Sequence, residues 1–534
     1  MRAELIKQAF AQATAARNKA TGRHSFCTVM ACACLMMSLT GCAQLPSLDG
    51  RSTSVTLLDT ANTRLGKAVM PAVRAHPGKS GVIALTDGSD AFAARVLLTD
   101  AAQRTLDVQN YIWHDDISGT LLFESLHRAA DRGVRVRLLL DDNNTKGLDS
   151  TLAALDAHPN IQVRLFNPFM QRQWRLLGNL ADFSRLNRRM HNKSFTADNQ
   201  ASIVGGRNIG DEYFDAGQDL AFVDLDVLAI GAVVSDVSRD FDRYWASASS
   251  YPADRVLPAV TPASISNLVA SAAKAQKQAG AKEYMEAVAR QSFLRDLLAG
   301  TLQFGWASTR MVSDDPAKGL GNAPKAALLP QRLNQILGTP RHDLYLVSSY
   351  FVPTKQGVRY LAALSRQGVK ITVLTNSLEA TDVVAVHAGY AKWRKELLKA
   401  GVALFEMKGD PIDSPEPRRR LIGRSSASLH AKTFAVDRSR VFIGSFNFDP
   451  RSARLNTEMG FVVDSPVLAQ AIFDAFGGHI PDHSYQVKLG KDDMLQWIER
   501  KDGKIIVHKI EPGTTALLRF GVDLMSLLPL DWML

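Results

Sequence analysis

Two hydrophobic spacings alternate along most of the chain. Four segments alternate apolar and polar residues, or run apolar over the length of a strand: 105–113, 132–139, 343–352 and 366–374. Two others repeat apolar residues every three or four positions, as a helix with one buried face does: 119–130 and 357–365. Each half of the chain therefore predicts strand, helix and strand in that order. This order is typical of an α/β fold with a largely buried sheet.

The N-terminal residues follow a different pattern. An apolar stretch at 26–39 follows a basic segment and is followed by small residues, which predicts a secretory signal. The sequence Leu-Thr-Gly before Cys42 resembles a bacterial lipobox, in which the signal is cleaved and the cysteine is then lipid-modified. With Ala43 next, we expect a membrane-anchored lipoprotein that faces the periplasm, at the outer membrane. An uncleaved single-span anchor is the alternative.

Composition narrows the class of protein. The chain has 534 residues, of which 46% are hydrophobic and 22% charged, so it is globular, long enough for two domains, and neither disordered nor fibrous. The net charge is +10, and the first 41 residues hold five basic residues and one acidic residue. The remainder is mildly basic, which suits an anionic substrate or a membrane surface. The four cysteines all lie at 27–42, which excludes a disulfide framework or a cysteine-ligated zinc site elsewhere.

An internal repeat organises the chain. The pattern His-x-Lys, followed by four residues and an Asp, occurs at 191–198 and again at 430–437. An offset of 239 residues superimposes the two copies. Extended without a gap for more than thirty residues, this offset pairs Asp219 with Glu458 and the dipeptide 222–223 with 461–462. Two such motifs in register, with shared downstream residues, indicate two related lobes.

The repeat and a change in composition predict the domain boundaries. Residues 250–335 are rich in Ala, Lys and Gln, and their pattern is helical from 264 to 300 and loop-like afterwards. We expect five segments: a signal peptide with lipobox (1–41), an anchor-proximal linker (42–78), a first lobe (79–250), a helical and loop connector (251–335), and a second lobe with a C-terminal helical extension (336–534). The apolar helix expected at 515–528 either docks on the core or dips into a bilayer interface.

The repeated residues suit the cleavage of a phosphodiester. That reaction needs a nucleophile at phosphorus, an acid for the departing alcohol and positive charge near the phosphoryl oxygens. Two histidines can supply the first two roles near neutral pH, and a lysine two residues after each histidine lies on the same strand face. The four residues are His191, Lys193, His430 and Lys432. A pseudo-twofold packing of two lobes would bring them around one phosphate.

The doubled motif resembles that of the phospholipase D superfamily, in which a Gly-[Ser/Gly]-x-Asn segment follows each His-Lys-Asp group. Here those segments are 205–208 and 444–447. The resemblance implies an α/β fold of two similar lobes, with mixed sheets flanked by helices, packed with pseudo-twofold symmetry around one shared active site. It implies no metal and no cofactor. It also implies that His191 attacks and forms a phosphohistidine, while His430 acts as the acid and then as the base.

The resemblance assigns roles to the other motif residues. Three are expected to bind the phosphate: Asn208, Asn447 and Ser445. Four acids are expected to act in support: Asp198, Asp219, Asp437 and Glu458. Among these acids, Asp219 and Glu458 each come 28 residues after a histidine and are expected to orient that histidine. Gly206 stands where the second copy has Ser445, so we expect one hydroxyl contact to the phosphate to be missing.

A closer resemblance is to bacterial lipid-anchored cardiolipin synthases, through segments such as 111–113, 205–210, 381–383 and 526–530. It implies phosphatidyl transfer at a membrane surface, with phosphatidylglycerol as substrate, phosphatidylethanolamine as a further candidate, and no nucleic-acid partner. The sequence identifies neither the phosphatidyl donor nor an accessory protein. A phospholipase D that uses water as acceptor is the runner-up. A nucleic-acid phosphodiesterase and a catalytically inactive lipid-binding scaffold are less favoured.

Two further features have competing interpretations. Basic residues precede both motifs, at 172–189 and 418–424, and form either a rim that holds anionic headgroups or a solvated charge run. The pair Asp141-Asp142 ends a predicted strand, and a turn explains it better than a metal site does.

Overall fold

The computed structural model describes residues 44–214, 221–290, 292–409 and 427–528. The predicted signal segment, Cys42, Asp219 and the basic run at 418–424 lie outside the described residues. Among the described residues, 44–49 and 169–187 belong to one small unit, and the remainder forms a second compact unit.

The first half of the chain alternates helices and strands, as predicted. Its elements are α1 (Arg64–Ala75), β1 (Ser80–Leu85), α2 (Gly88–Ala101), β2 (Thr105–Ile112), α3 (Ile117–Asp131), β3 (Arg135–Asn144), α4 (Asp149–Asp156), β4 (Ile161–Phe166), α5 (Arg175–Ala181), α6 (Phe183–Leu186), β5 (Ser194–Ala197), β6 (Ala201–Gly205), β7 (Ala221–Val223), β8 (Asp226–Gly231), α7 (Ala232–Trp245) and β9 (Ser250–Pro252). The short helices α5 and α6 lie in the small unit.

The second half repeats this alternation after three helices. Its elements are α8 (Pro262–Ala275), α9 (Ala279–Arg290), α10 (Phe293–Leu298), β10 (Gly305–Ser313), α11 (Leu329–Leu337), β11 (Asp343–Ser348), α12 (Thr354–Arg366), β12 (Lys370–Asn376), α13 (Val384–Ala391), α14 (Arg394–Lys399), β13 (Ala403–Met407), β14 (Ala427–Leu429), β15 (Lys432–Val436), β16 (Arg440–Gly444), α15 (Pro450–Arg454), β17 (Met459–Asp464), α16 (Pro466–Gly477), α17 (His479–Asp482), β18 (Ser484–Leu489), β19 (Leu495–Lys501), β20 (Lys504–His508) and α18 (Ala516–Ser526).

The two lobes have the same strand order. In the first lobe the order is β9-β4-β3-β2-β5-β6-β8-β1, and in the second it is β18-β13-β12-β11-β15-β16-β17-β10. The three strands β2, β3 and β4 are parallel, as are β11, β12 and β13, and the other pairs in these orders are antiparallel. Strands β1 and β10 pair across the lobes, so that one continuous sheet results. The predicted fold class, two similar lobes with mixed sheets flanked by helices, is confirmed.

Hydrophobic burial holds each lobe together and then joins them. One core cluster is built on α2, α3, β2 and β3, and a second on β11, β12, β15 and α12. A third cluster combines residues of both lobes, with Val204 and Val227 from the first beside Ile443 and Phe461 from the second. Each of these four side chains is 2% exposed or less. Fully burying a side chain of this size contributes roughly 1.5–3 kcal/mol, so this shared cluster fixes the lobes against each other.

Two of the predicted segments contain elements that belong to the core or the sheet. The segment expected as a linker (42–78) contains α1, whose Leu65 and Val69 are buried in the first core. The segment expected as a connector (251–335) contains β10, and its three helices also pack into the first core through residues such as Tyr284 and Phe293. Glycine and polar residues make up five of the nine residues of β10, so its alternation was a weak strand signal. In the described part of the chain, no helix is long and apolar enough to cross a bilayer.

Candidate active site

The two motifs place their histidines immediately before equivalent strands. His191 and Lys193 precede β5, His430 precedes β15, and Lys432 is the first residue of β15. Both histidines are 7% exposed, and both lysines are buried more deeply. The two ammonium groups each donate a hydrogen bond to the carbonyl oxygen of the preceding motif histidine, Lys193 at 2.7 Å. Each motif is therefore a compact, nearly buried His-Lys unit.

The lobes exchange backbone contacts at the histidines. The His191 N–H donates to the Thr457 carbonyl at 2.9 Å, and the His430 N–H donates to the Val223 carbonyl at 2.8 Å. On the His430 side the contact continues as a short parallel pairing of β7 with β14. Each histidine is thus held by a segment of the other lobe, and neither motif is complete in an isolated lobe.

The carboxyl groups that orient the histidines are also exchanged. His191 Nδ1 lies 2.8 Å from Oε2 of Glu458, and His430 Nδ1 lies 2.6 Å from Oδ2 of Asp224. This corrects the sequence prediction, in which Asp219 would orient His191 and Glu458 would orient His430. A carboxylate at Nδ1 favours the tautomer with the proton on that nitrogen, which leaves Nε2 as the reacting atom.

A difference in loop length explains why the repeat selected Asp219 in place of Asp224. In the sheet, Gly205 pairs with Asp226, and Gly444 pairs with Gly460. Asp226 and Gly460 are therefore equivalent positions, and they are 234 residues apart, whereas the two motifs are 239 residues apart. On this register Asp224 is the counterpart of Glu458. The first lobe has five more residues between its motif asparagine and its acid. The gapless repeat therefore ends near Asn208, and the dipeptide 222–223 lies in β7 instead of matching β17.

Burial, and the repulsion between nearby positive charges, lower the pKa values of the motif lysines and histidines. Burial lowers the pKa of Lys193 to about 7 and that of Lys432 to about 8. Burial and the two lysines hold the pKa of His191 well below its usual value. Burial and then Lys432 also lower the pKa of His430, although Asp224 acts in the opposite direction. Near neutral pH His191 is therefore available as the neutral imidazole, whereas Asp224 favours the protonated form of His430.

The two carboxyl groups differ in charge state. Burial opposes ionisation of Asp224, but His430 and Lys432 outweigh it and hold the pKa of Asp224 below its usual value. Burial raises the pKa of Glu458 to about 7. His430 thus faces a carboxylate that stays charged, and this stabilises its protonated form when a proton arrives. The site is symmetric in geometry and asymmetric in electrostatics.

The predicted phosphate-binding residues are oriented by contacts within the protein. Asn208 Oδ1 accepts a hydrogen bond from the Ile112 N–H at 3.3 Å, and Asn447 Oδ1 accepts one from the Ser349 hydroxyl at 2.9 Å. These bonds fix the amide groups. The Ser445 hydroxyl donates to Glu458, so its hydrogen is used inside the protein. Ser445 therefore holds the acid of His191, a contact that the sequence prediction did not include.

Gly206 is explained by the position of Asp224. A Cβ atom at residue 206 would lie 2.1 Å from Asp224 Oδ1, which is far inside van der Waals contact. The sequence prediction interpreted Gly206 as a lost hydroxyl contact to the phosphate. The structure gives a steric reason instead, because the space of that side chain is occupied by the carboxylate that orients His430.

The motif aspartates support strands. The Asp198 carboxylate is buried and accepts hydrogen bonds from the backbone N–H groups of Gln103, Arg104 and Thr105 at 2.8–3.2 Å. Asp437 makes the same three-fold contact with residues 341–343. Neither carboxylate contacts a motif histidine or lysine. The contacts tie the motif strand to the start of its neighbour in the sheet.

Several residues at the site carried no motif signal. Tyr111 packs its ring against His191 at a centroid distance of 4.8 Å, and Tyr213 packs against His430 at 5.2 Å. Asp141 accepts a hydrogen bond from the Met190 N–H at 2.7 Å, and Asn376 accepts one from the Leu429 N–H at 2.8 Å. Asp141 is thus a support of the motif backbone. The prediction that Asp141-Asp142 ends a strand is wrong, because both residues lie inside β3, which continues to Asn144. Asp141 matches Asn376, the last residue of β12, and the repeat contained this signal.

The basic run before the first motif is divided in the structure. Arg189 is 3% exposed, donates to Asp141 at 3.2 Å and so is part of the interior. Arg188 is partly exposed and donates to the carbonyl of Arg454. The rim interpretation therefore does not extend to Arg189.

Comparison with known proteins identifies the family. A family model described as cardiolipin synthase, phospholipase D-like domain, matches residues 97–245 and 333–480, which are the two lobes. This chain belongs to the cardiolipin synthase family of phospholipase D-like proteins. The two matched segments each contain one His-Lys-Asp motif and the acid of the other motif's histidine.

Relatives within the family cover most of the chain. Cardiolipin synthase C of Escherichia coli (strain K12) is 52% identical over 472 residues, which cover 88% of this chain and 100% of the relative. Cardiolipin synthase A of Pseudomonas entomophila (strain L48) is 26% identical over 382 residues, covering 70% of this chain and 63% of the relative. The crystal structure of phosphatidylserine synthase from Haemophilus influenzae aligns over 88% of this chain and 100% of its own, with a TM-score of 0.54 and 13% identity. That likeness shows the fold.

Proposed function

We propose that this protein is a phosphatidyltransferase that makes cardiolipin through a phosphohistidine intermediate. The observation that carries the proposal is the pair of buried His-Lys units, each completed by an acid of the other lobe, in a chain 52% identical to cardiolipin synthase C of Escherichia coli. Phosphatidylglycerol is the acceptor, and its headgroup hydroxyl takes the phosphatidyl group. Phosphatidylglycerol or phosphatidylethanolamine is the donor.

The surroundings of the two histidines support the roles that we propose for them. Neutral His191 attacks the phosphorus of the donor through Nε2, and the bond to the departing headgroup oxygen breaks. His430 gives its Nε2 proton to that oxygen, and Asp224 stabilises the imidazolium before the transfer. The headgroup of phosphatidylglycerol then loses a proton to His430 and displaces His191 from phosphorus. Lys193, Lys432, Asn208 and Asn447 neutralise and hold the phosphoryl oxygens.

A lipid analysis tests the proposal. The chain is expressed in a bacterium that lacks cardiolipin, and we expect cardiolipin to appear in its extracted lipids. His191→Ala and His430→Ala should each abolish the product, whereas the exposed-surface variant Asp474→Asn should keep it. Phosphatidic acid in place of cardiolipin would refute the transferase and support the runner-up, a hydrolase that uses water as acceptor.

The proposed location is the outer membrane, facing the periplasm, with lipid-modified Cys42 as the anchor. The lipobox-like sequence before Cys42 supports this part of the proposal. In a bacterial host, we expect Cys42→Ala to lose metabolic labelling by a palmitate analogue, whereas Cys34→Ala keeps it. Retained labelling of the Cys42→Ala variant would refute the lipidation site.

A further inference from the structure

Helix α18 has three distinct faces. Its inner face carries Leu518, Val522 and Met525, which pack with Leu378 and Ala388 in a small cluster on α13. A polar face carries Arg519, Asp523 and Ser526. The third face is apolar and open to solvent: Leu517 is 80% exposed, Phe520 65%, Leu524 55% and Leu527 81%. We refer to these four residues as the outer stripe.

The outer stripe is not needed for folding of the helix or for its docking. Thr515 caps the N-terminus of α18 by accepting a hydrogen bond from the Leu518 N–H, and the inner face already attaches the helix to α13. Helices on a solvated surface place polar residues on their outward side. A contiguous set of large apolar side chains there indicates a surface that is covered when the protein works.

The attachment of α18 is rigid. Glu511, shortly before the helix, is 9% exposed and accepts from Arg394 at the start of α14, and His387 of α13 lies 2.8 Å from it. Arg394 also donates to the buried Glu406 at 2.7 Å. This buried network holds the segment that leads into α18 against α13 and α14, so the outer stripe has a fixed direction.

The same helix α13 connects the outer stripe to the active site. Asp382, shortly before α13, accepts a hydrogen bond from the Tyr350 hydroxyl at 2.7 Å. The Tyr350 N–H in turn approaches Asn447 Oδ1 at 3.4 Å. Helix α18 therefore lies between the outer stripe and the element that borders the catalytic residues.

The hairpin before α18 adds basic and apolar side chains that are exposed. Three lysines, Lys501, Lys504 and Lys509, accompany Ile505 (72% exposed) and Ile510 (60% exposed). Lysines beside exposed apolar residues match a surface with anionic headgroups over a hydrocarbon interior. The outer stripe consists of Leu and Phe only and has no polar side chain that could fix the register of a protein partner. This favours a fluid lipid surface over a protein as its occupant.

We propose that the outer stripe of α18 is the membrane-docking surface of this enzyme, and that its occupant is the interface of an anionic phospholipid bilayer. This proposal rests on the proposed function for its account of why the site must face lipid. The four side chains enter the acyl-headgroup boundary, and the contacts of α18 and Glu511 hold α13, beside which the site lies, next to that boundary.

A photolabelling experiment tests the docking surface without requiring turnover. The full chain is mixed with vesicles of phosphatidylethanolamine and phosphatidylglycerol in equal amounts, with a trace of phosphatidylglycerol that carries a diazirine in its acyl chain. After irradiation and digestion, we expect label on the peptides that contain residues 510–528. In the variant Leu517→Gln, Phe520→Gln and Leu524→Gln, this label should fall at least about tenfold, because moving even one large apolar side chain into water weakens binding by roughly that factor.

A matched control has three exposed apolar residues changed elsewhere: Ile265→Gln, Val269→Gln and Met285→Gln on α8 and α9. We expect this control to keep the label on 510–528, and circular dichroism should show both triple variants folded. Equal labelling of the two variants would overturn the proposal. So would a lower molecular mass of the outer-stripe variant by light scattering in detergent, since the stripe would then join copies of the chain. Labelling also proceeds in His191→Ala, so failure of the proposed function would show as an absence of lipid product while the label remains.

Discussion

The pairing of Asp224 with His430 makes a quantitative prediction for Asp224→Asn. The carboxylate is inaccessible to solvent, lies 2.6 Å from His430 Nδ1 and stays ionised beside His430 and Lys432. An amide keeps the shape and one hydrogen-bonding oxygen but removes the charge. The protonated form of His430, which must give a proton to the departing oxygen, loses its stabilising partner.

The size of the effect follows from the type of bond. A hydrogen bond to a charged group contributes about 1.5–3 kcal/mol, against about 1 kcal/mol for a neutral one. If most of this contribution is lost in the transition state, kcat falls about 10–100-fold, since each 1.36 kcal/mol is a factor of ten in rate. Because the carboxylate favours protonation of His430, its removal lowers the pKa of His430. The limb of the kcat profile along which activity falls with rising pH should therefore move to lower pH.

The assay is transfer from phosphatidylglycerol in mixed micelles, measured as kcat across pH for the wild type and three variants. Asp224→Asn should show the loss and the shifted limb, and Glu458→Gln should lose activity through His191. Asp219→Asn changes the acid that the gapless repeat selected. Its kcat should stay within about twofold of wild type, because we expect Asp219 to have no part in the transition state. If Asp219→Asn lost activity while Asp224→Asn kept it, the exchanged pairing would be refuted.

Three further predictions follow from the same contacts. With rising pH, kcat/KM should fall above about 7–8, because Lys193 and Lys432, with pKa values of about 7 and 8, lose the positive charge that holds the phosphate. Lys277→Ala, at an exposed site away from both the active site and the proposed docking surface, should leave this limb unchanged. Asp198→Ala should lower the free energy of unfolding by about 3 kcal/mol in urea titrations, because three backbone N–H groups lose their partner, whereas exposed Asp474→Ala should change it by less than about 0.5 kcal/mol. Asp141→Ala should lower kcat about tenfold or more, since the backbone beside His191 loses a charged acceptor, and an unchanged kcat would contradict that support role.

Local sequence was sufficient to predict the strands of each half and the two motifs. The apolar runs of β3 and β12 depend on burial of each strand, which neighbouring residues reveal. The doubled His-Lys pair was equally visible, since the two residues of each pair are only two positions apart in the sequence. These features needed no knowledge of how the lobes pack.

The partners of the histidines depended on distant contacts. Glu458 reaches His191 across 267 positions of sequence, and Asp224 reaches His430 across 206. The spacing argument assumed that loops of the two copies were equal in length, and the five additional residues of the first lobe broke that assumption. The register of β6 with β8, which reveals the difference, is a property of the folded sheet. The same limit applies to β10, whose place in the sheet depends on β1 and β17.

The glycine or serine at the second position of each Gly-[Ser/Gly]-x-Asn segment is coupled to the acid of the same lobe. In the first lobe Gly206 leaves space for Asp224, and in the second the Ser445 hydroxyl donates to Glu458. Gly206→Ser places atoms in the space of the Asp224 carboxylate, so we expect it to lower kcat at least about tenfold by displacing the partner of His430. Adding Asp224→Glu gives the first lobe the serine and glutamate of the second, and this double variant should recover a measurable part of the loss in the same transfer assay. Gly521→Ala, where a Cβ meets no atom within 4 Å, should remain fully active. A double variant no more active than Gly206→Ser would show that the two positions are not coupled, and that the likeness of the two lobes does not extend to their acids.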